Sequence, residues 1–140
     1  MRPSYIEVDL NNLRHNLALI RKHTDNRAVM AVVKANAYGH GLLRVAQFYE
    51  KLGVNCLGVA LLEEGILLRE SGITLPIVVF GGVSAQQIPE FLEWNLEFFV
   101  ASPEMLEITE IICKSQIYNF DASWKSSRGA SSSLKSCSRQ

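Results

Sequence analysis

The chain has 140 residues, the length of one folding domain. Fourteen basic residues balance fourteen acidic ones and 48% of the chain is hydrophobic, which argues against a basic nucleic-acid binder and against a highly charged disordered chain. No apolar run approaches the roughly 18 residues that a membrane helix needs. The opening MRPSYIEVDL lacks a leader's apolar stretch and carries Glu7 and Asp9 early, so a cytoplasmic protein with neither a nucleic-acid nor a membrane partner is expected. Cysteines at 56, 113 and 137 are odd in number and have no CxxC spacing or nearby histidine pair, so no disulfide framework and no metal site is expected.

In chain order, Tyr5 to Leu10 reads as a strand, and Leu10, Leu13, Leu17 and Ile20 then recur at helical spacing. Ala28 to Lys34 is the next strand. Its centre, Val29 to Val33, is apolar without alternation, as in a parallel sheet covered on both faces. The loop ANAYGHG comes next, and then a helix from about Gly41 to Leu52. A strand around Cys56 to Ala60 leads into a helix from Leu61 to Glu70, with Glu63, Glu64 and Arg69 on its wet side and Gly72 as its stop. Ile77 to Phe80 is a buried strand ending in Gly81 and Gly82. Ser84 to Trp94 is helical, entered either through a Ser84/Gln87 capping box or later, with Pro89 at its first position. Leu96 to Val100 is a further strand. Ser102 and Pro103 start a last helix, with Met105, Leu106, Thr109, Ile112 and Cys113 on one face.

Repeated βα units imply parallel strands joined by right-handed crossovers, in an open doubly wound sheet or a closed barrel. The glycines after the second strand do not complete GxGxxG, because position 44 is arginine. Local pattern does not choose between the two; if the plan is a barrel, which takes eight units in about 250 residues, the chain supplies about four of them, a partial (β/α)8 TIM-type barrel of the α/β class. Composition divides the chain at residue 114. Residues 1–114 carry ten basic and thirteen acidic side chains, whereas residues 115–140 carry four basic side chains, one acidic and nine serines. The second stretch has no apolar period and is expected to be disordered, without a role for Tyr118 or Trp124.

Lys34 closes an apolar strand at the end where parallel sheets carry their active sites. Burial disfavours the charged form of an amine, and a neutral amine condenses with aldehydes. An edge lysine with a solvated head fits the same position. In the loop, Gly39 and Gly41 permit positive φ and close backbone approach, and a helix start there favours a phosphate. Tyr38 and His40 add polar tips, with loop packing and capping as the plainer alternatives.

Taken together, AVVKANAYGHG over residues 31–41 resembles the cofactor-attachment signature of the alanine racemase family. YIEVDLNNLRHNL and VALLEEGILLRESGITLPIVVFGG are similar to its opening units, so the resemblance covers residues 1 to about 113. It implies a fold-type III pyridoxal 5'-phosphate enzyme that interconverts L- and D-alanine for cell-wall precursors, with a (β/α)8 barrel, a β-rich second domain and a homodimer. It further implies that Lys34 holds the cofactor and serves as one of two bases, and that Tyr38 bonds the cofactor phosphate. The opposing base would be a tyrosine of the neighbouring subunit's carboxy-terminal domain. That tyrosine and the later barrel strands are not recognisable in residues 115–140. This is the pattern expected of a truncated, inactive product whose native continuation has been replaced by unrelated codons. A non-catalytic cofactor-binding barrel module is the alternative from another class.

Overall fold

A computed structural model describes residues 6–114. It forms two compact units, within Met1–Val100 and Ala101–Gln140. The expectations of a disordered tail and of no role for Tyr118 and Trp124 fall outside the described residues.

The first unit opens with α1, Leu10–His23, capped by the Asp9 carboxylate, which accepts from Asn11 N at 2.8 Å. Arg21, Lys22 and His23 occupy its last turn, where cations oppose the carbonyl end of the helix dipole. Leu17 is its buried anchor. The expected strand from Tyr5 is not formed over its described part. Residues 6–9 have no regular structure and Ile6 is exposed, because alternating residues make a strand only beside a pairing neighbour.

The next strand, β1, is Met30–Val32, followed by a helical turn, α2, at Lys34–Tyr38, and by α3, Leu42–Lys51. Then come β2, Cys56–Val59; α4, Leu62–Glu70; and β3, Ile77–Val79. A 3-10 turn at Ala85–Gln87 leads into α5, Ile88–Glu93, and the last strand, β4, is Glu97–Phe98. The two alternative entries to the fifth helix both occur: Ser84 and Gln87 cap the 3-10 turn, and Pro89 lies in the first turn of α5. Gly72, at φ 87°, ends α4 as expected. Its N–H donates to Arg69 O at 3.0 Å and Ile73 N donates to Leu68 O at 3.1 Å, a closure that needs a left-handed residue.

The four strands form one parallel sheet in the order β1-β2-β3-β4. Sequential order, with a helix in each connection, is the geometry of a barrel wall, whereas a doubly wound sheet reverses its strand order. The register pairs Ala31 with Leu57 and Leu57 with Ile77, then Val59 with Val79 and Val79 with Phe98. These residues share the face against the helices, where Leu17, Val45, Ala46, Leu62, Leu68 and Phe91 complete the core. The alternate residues Met30, Val32, Gly58, Val78 and Phe80 share the opposite face. Burial along β1 alternates, with Met30 and Val32 open and Ala31 and Val33 closed, whereas Gly58 and Val78 on the same face as Met30 and Val32 are buried.

The second unit contributes α6 over residues 103–114, started by the Ser102 hydroxyl, which accepts from Met105 N at 3.2 Å. Met105, Thr109, Ile112 and Cys113 are half-buried along it as the spacing predicts, whereas Leu106 is exposed.

Candidate functional site

In a parallel sheet all strands deliver their carboxyl ends to one edge, and here that edge gathers Lys34, Ala60, Phe80 and Phe99. Val33 N donates to Gly58 O at 2.8 Å, so the last bond of the β1–β2 ladder reaches the residue before Lys34. Val33 itself is wholly buried. Lys34 thus leaves a fixed point of backbone with its side chain half-buried.

The segment after Lys34 is not an ordinary loop. Ala35, Asn36, Ala37 and Tyr38 all have φ between 51° and 57°, a left-handed turn built from four non-glycine residues. Each such residue costs about 1–2 kcal/mol relative to the right-handed form, so the surroundings must impose the turn. They do so with hydrogen bonds. Ala37 N donates to Val33 O at 2.7 Å, and Gly39 N and Gly41 N donate to Asn36 O at 3.1 and 3.0 Å. The His40 ring lies with Nδ1 2.9 Å from Ala37 O and 3.2 Å from Tyr38 O. Carbonyls only accept, so Nδ1 carries the proton. Buried Ala37 is the apolar anchor, and Gly39 (φ 86°) and Gly41 (φ 94°) lead the chain into α3. A Cβ at either glycine would meet nothing within 4 Å. Their role is therefore conformational freedom and open space beside the turn.

Lys34 and Tyr38 are the two ends of the turn, four residues apart in sequence. Tyr38 is 60% exposed, so its phenol is available to a ligand and is not packed away. His40 is a clamp of the turn. The first amide of α3, Leu42 N, is not free for an anion, because the Asn36 side chain accepts from it at 2.8 Å. Sequence reasoning did not single out Asn36. The signal for it was an asparagine six residues before a helix whose own N-cap position is glycine. Two other side chains expected on the wet side of α4 are engaged: Glu64 accepts from Ala60 N at 2.9 Å, and Arg69 reaches four carbonyls at the opposite end of the sheet.

Other chemistries find less support. No group of three His, Cys, Asp or Glu able to hold a metal exists among the described residues. Burial, joined by the Glu97 carboxylate, pushes the Cys56 thiol up, the opposite of an activated nucleophile. A groove of about 420 Å3 at α1 is lined by Arg14, Arg21 and Lys22, but Arg21 donates to Gly53 O at 2.6 Å and Arg14 stacks on Phe48. A primary amine on a rigid strand end, an exposed phenol and an open glycine corner instead fit the aldehyde and phosphate of a pyridoxal cofactor. No helix among the described residues is long and apolar enough to cross a membrane.

The alanine racemase of a Nostoc species is 43% identical over 103 residues, which are 72% of this chain and 27% of that protein. The crystal structure of the Clostridium difficile alanine racemase in complex with cycloserine superposes with a TM-score of 0.73 at 36% identity, covering 80% of this chain and 32% of that one. A histidine racemase from Leuconostoc mesenteroides superposes with a TM-score of 0.67 at 31% identity, over 71% of this chain and 27% of that one. The chain thus spans about a third or less of the length of these relatives. Because the family described as "Alanine racemase, N-terminal domain" matches residues 8–122, and the sheet is that of the barrel in the solved racemases, the chain belongs to the alanine racemase N-terminal domain family.

Proposed function

We propose that this chain supplies the lysine side of a pyridoxal 5'-phosphate site in a racemase that interconverts L- and D-alanine. The observation that carries the reading is Lys34 at the carboxyl end of β1, fixed by the Val33–Gly58 bond and followed by the clamped left-handed turn. When bound, the cofactor supplies an electron sink that acidifies the Cα proton of an amino acid. Lys34 Nζ would hold it and, as a free amine, would take the Cα proton from or return it to one face. Tyr38 Oη donates to the cofactor phosphate. The glycine corner leaves room for that phosphate without a Cβ.

Inversion needs a second base on the other face, which in the family comes from a partner subunit's tyrosine, so the working enzyme is a homodimer in the cytoplasm. In this reading residues 1–114 are the amino-terminal part of the cofactor-binding barrel, and the chain beyond residue 122, where the family match ends, is foreign to the family. These 140 residues by themselves therefore bind cofactor with negligible turnover. Alanine is favoured as substrate by the alanine racemase relatives, although the likeness to a histidine racemase indicates that selectivity lies outside this part of the barrel.

The test is to add pyridoxal phosphate to the 140-residue chain, reduce with borohydride and map the modified peptide. An adduct at Lys34, absent from Lys34→Ala, is expected. An adduct elsewhere, or none, overturns the assignment. D-alanine formation above that of the Lys34→Ala control would overturn the proposal of negligible turnover.

A further inference from the structure

The left-handed turn needs something to hold it, and three hydrogen bonds meet for that purpose at Asn36. Two are accepted by its main-chain carbonyl, from Gly39 N and Gly41 N, and any residue could accept them. The third is specific to its side chain: Oδ1 accepts from Leu42 N at 2.8 Å. Leu42 is the first residue of α3 and is buried, so without Oδ1 its N–H would have to find another partner. Gly41 stands at the N-cap of α3 and has no side chain to do this. Asparagine is also among the non-glycine residues that best tolerate φ near 57°, the value Asn36 adopts.

We infer that Asn36 is a positioning residue: by capping α3 from inside the turn it holds residues 35–38 left-handed, and so sets where the Lys34 amine and the Tyr38 phenol stand. The inference about handedness needs no cofactor, whereas the consequence for the cofactor rests on the proposed function above. The two parts therefore receive separate readouts. Asn36→Asp keeps the acceptor and adds a charge suited to a helix start, so it should behave as the parent. Asn36→Ala keeps neither the acceptor nor the tolerance. Ser84→Ala, which removes a cap far along the chain, controls for general loss of stability.

In the isotope-labelled 140-residue chain, strong intraresidue amide-to-Hα NOEs report positive φ at residues 35–38. These are expected in the parent, in Asn36→Asp and in Ser84→Ala, and lost in Asn36→Ala with its far-ultraviolet circular dichroism retained. Borohydride-trapped pyridoxal phosphate at Lys34 should fall about tenfold in Asn36→Ala, the size of one lost buried hydrogen bond, and stay at the parent level in the other two. Parent-like NOEs and trapping in Asn36→Ala overturn the proposal, as does equal loss in Ser84→Ala. Should Asn36→Ala fail to fold, Asn36→Asp decides, and loss of the NOEs there is equally fatal. A parent that shows the NOEs but no adduct refutes the cofactor reading and leaves the role of Asn36 in the turn standing.

Discussion

On the helix-covered face of the sheet, Leu57, Val59, Ile77 and Val79 are almost fully buried, whereas on the other face Met30, Val32 and Phe80 each keep more than a third of their surface open. Both sets are apolar, and both belong to the same sheet. The difference follows the partners: α3, α4 and α5 pack on the first set, whereas Met30, Val32 and Phe80 lie outside the buried core cluster, although Val78 on their face is buried. The covered face therefore holds the fold together. The open face carries Lys34 at its carboxyl edge, where Phe80 and Phe99 stack with ring centroids 5.8 Å apart. In the proposed reading, stability and chemistry are separated across one layer of backbone.

The sharpest way to break this contrast is to truncate one residue on each face. Leu57→Ala should cost about 2–5 kcal/mol, because a fully buried side chain between two strands leaves a cavity that the parallel ladder cannot close. Phe80→Ala should cost less than about 1.5 kcal/mol, although the side chain is larger, since much of its surface already faces water. Urea unfolding of the 140-residue chain measures both. Equal losses would mean that the open face is covered in solution.

Much of this separation was legible in the sequence, for a physical reason. Short apolar runs bounded by glycine placed β1, β2 and β3 within about two residues, because burial on the helix side selects β-branched residues directly. Lys34 was legible as a cation ending such a run. The handedness of the turn was not, since Ala, Asn, Ala and Tyr have ordinary propensities and their left-handed φ is imposed by bonds to Val33, Gly39, Gly41 and Leu42. Glu64 and Arg69 were assigned to the wet side for a related reason. A long charged side chain reads as solvated from its spacing, yet it can fold back onto free backbone groups.

Two glycines probe the faces from the opposite direction, by adding an atom. A Cβ at Gly65, in α4, would lie 2.9 Å from a methyl of buried Leu96. Gly65→Ala should therefore cost about 1–3 kcal/mol through repacking, even though alanine favours a helix. At Gly58, on the other face, a Cβ would lie 2.7 Å from the far edge of the Phe80 ring and 3.2 Å from Met30 Sδ, the ends of two side chains that are each more than a third exposed. Gly58→Ala should stay within about 1 kcal/mol of the parent. A larger loss at Gly58 than at Gly65, read as a shift in denaturation midpoint, would reverse the assignment of which face is rigid.

The smallest effect concerns the amino ends of the strands, where Glu50 of α3 holds the connection into β3. Its Oε1 accepts from Thr74 N at 2.8 Å, Thr74 Oγ1 at 3.0 Å and Leu75 N at 3.3 Å. Burial alone would raise this carboxyl, but these bonds, with the Arg69 guanidinium, outweigh it and hold it below its ordinary value of 4.5. A carboxyl lowered in the folded state stabilises the protein fully above its unfolded value and loses that contribution as pH falls through the folded one. Stability should therefore decline below about pH 4.5, and Glu50→Gln should flatten that part of the profile while leaving the neutral side nearly parallel. Because Glu50 lies at the end of the sheet opposite Lys34, borohydride trapping in Glu50→Gln should match the parent at pH 7. A reduced adduct there would show that the two ends of the sheet are energetically coupled, and that the fixed position of Lys34 depends on more than its own turn.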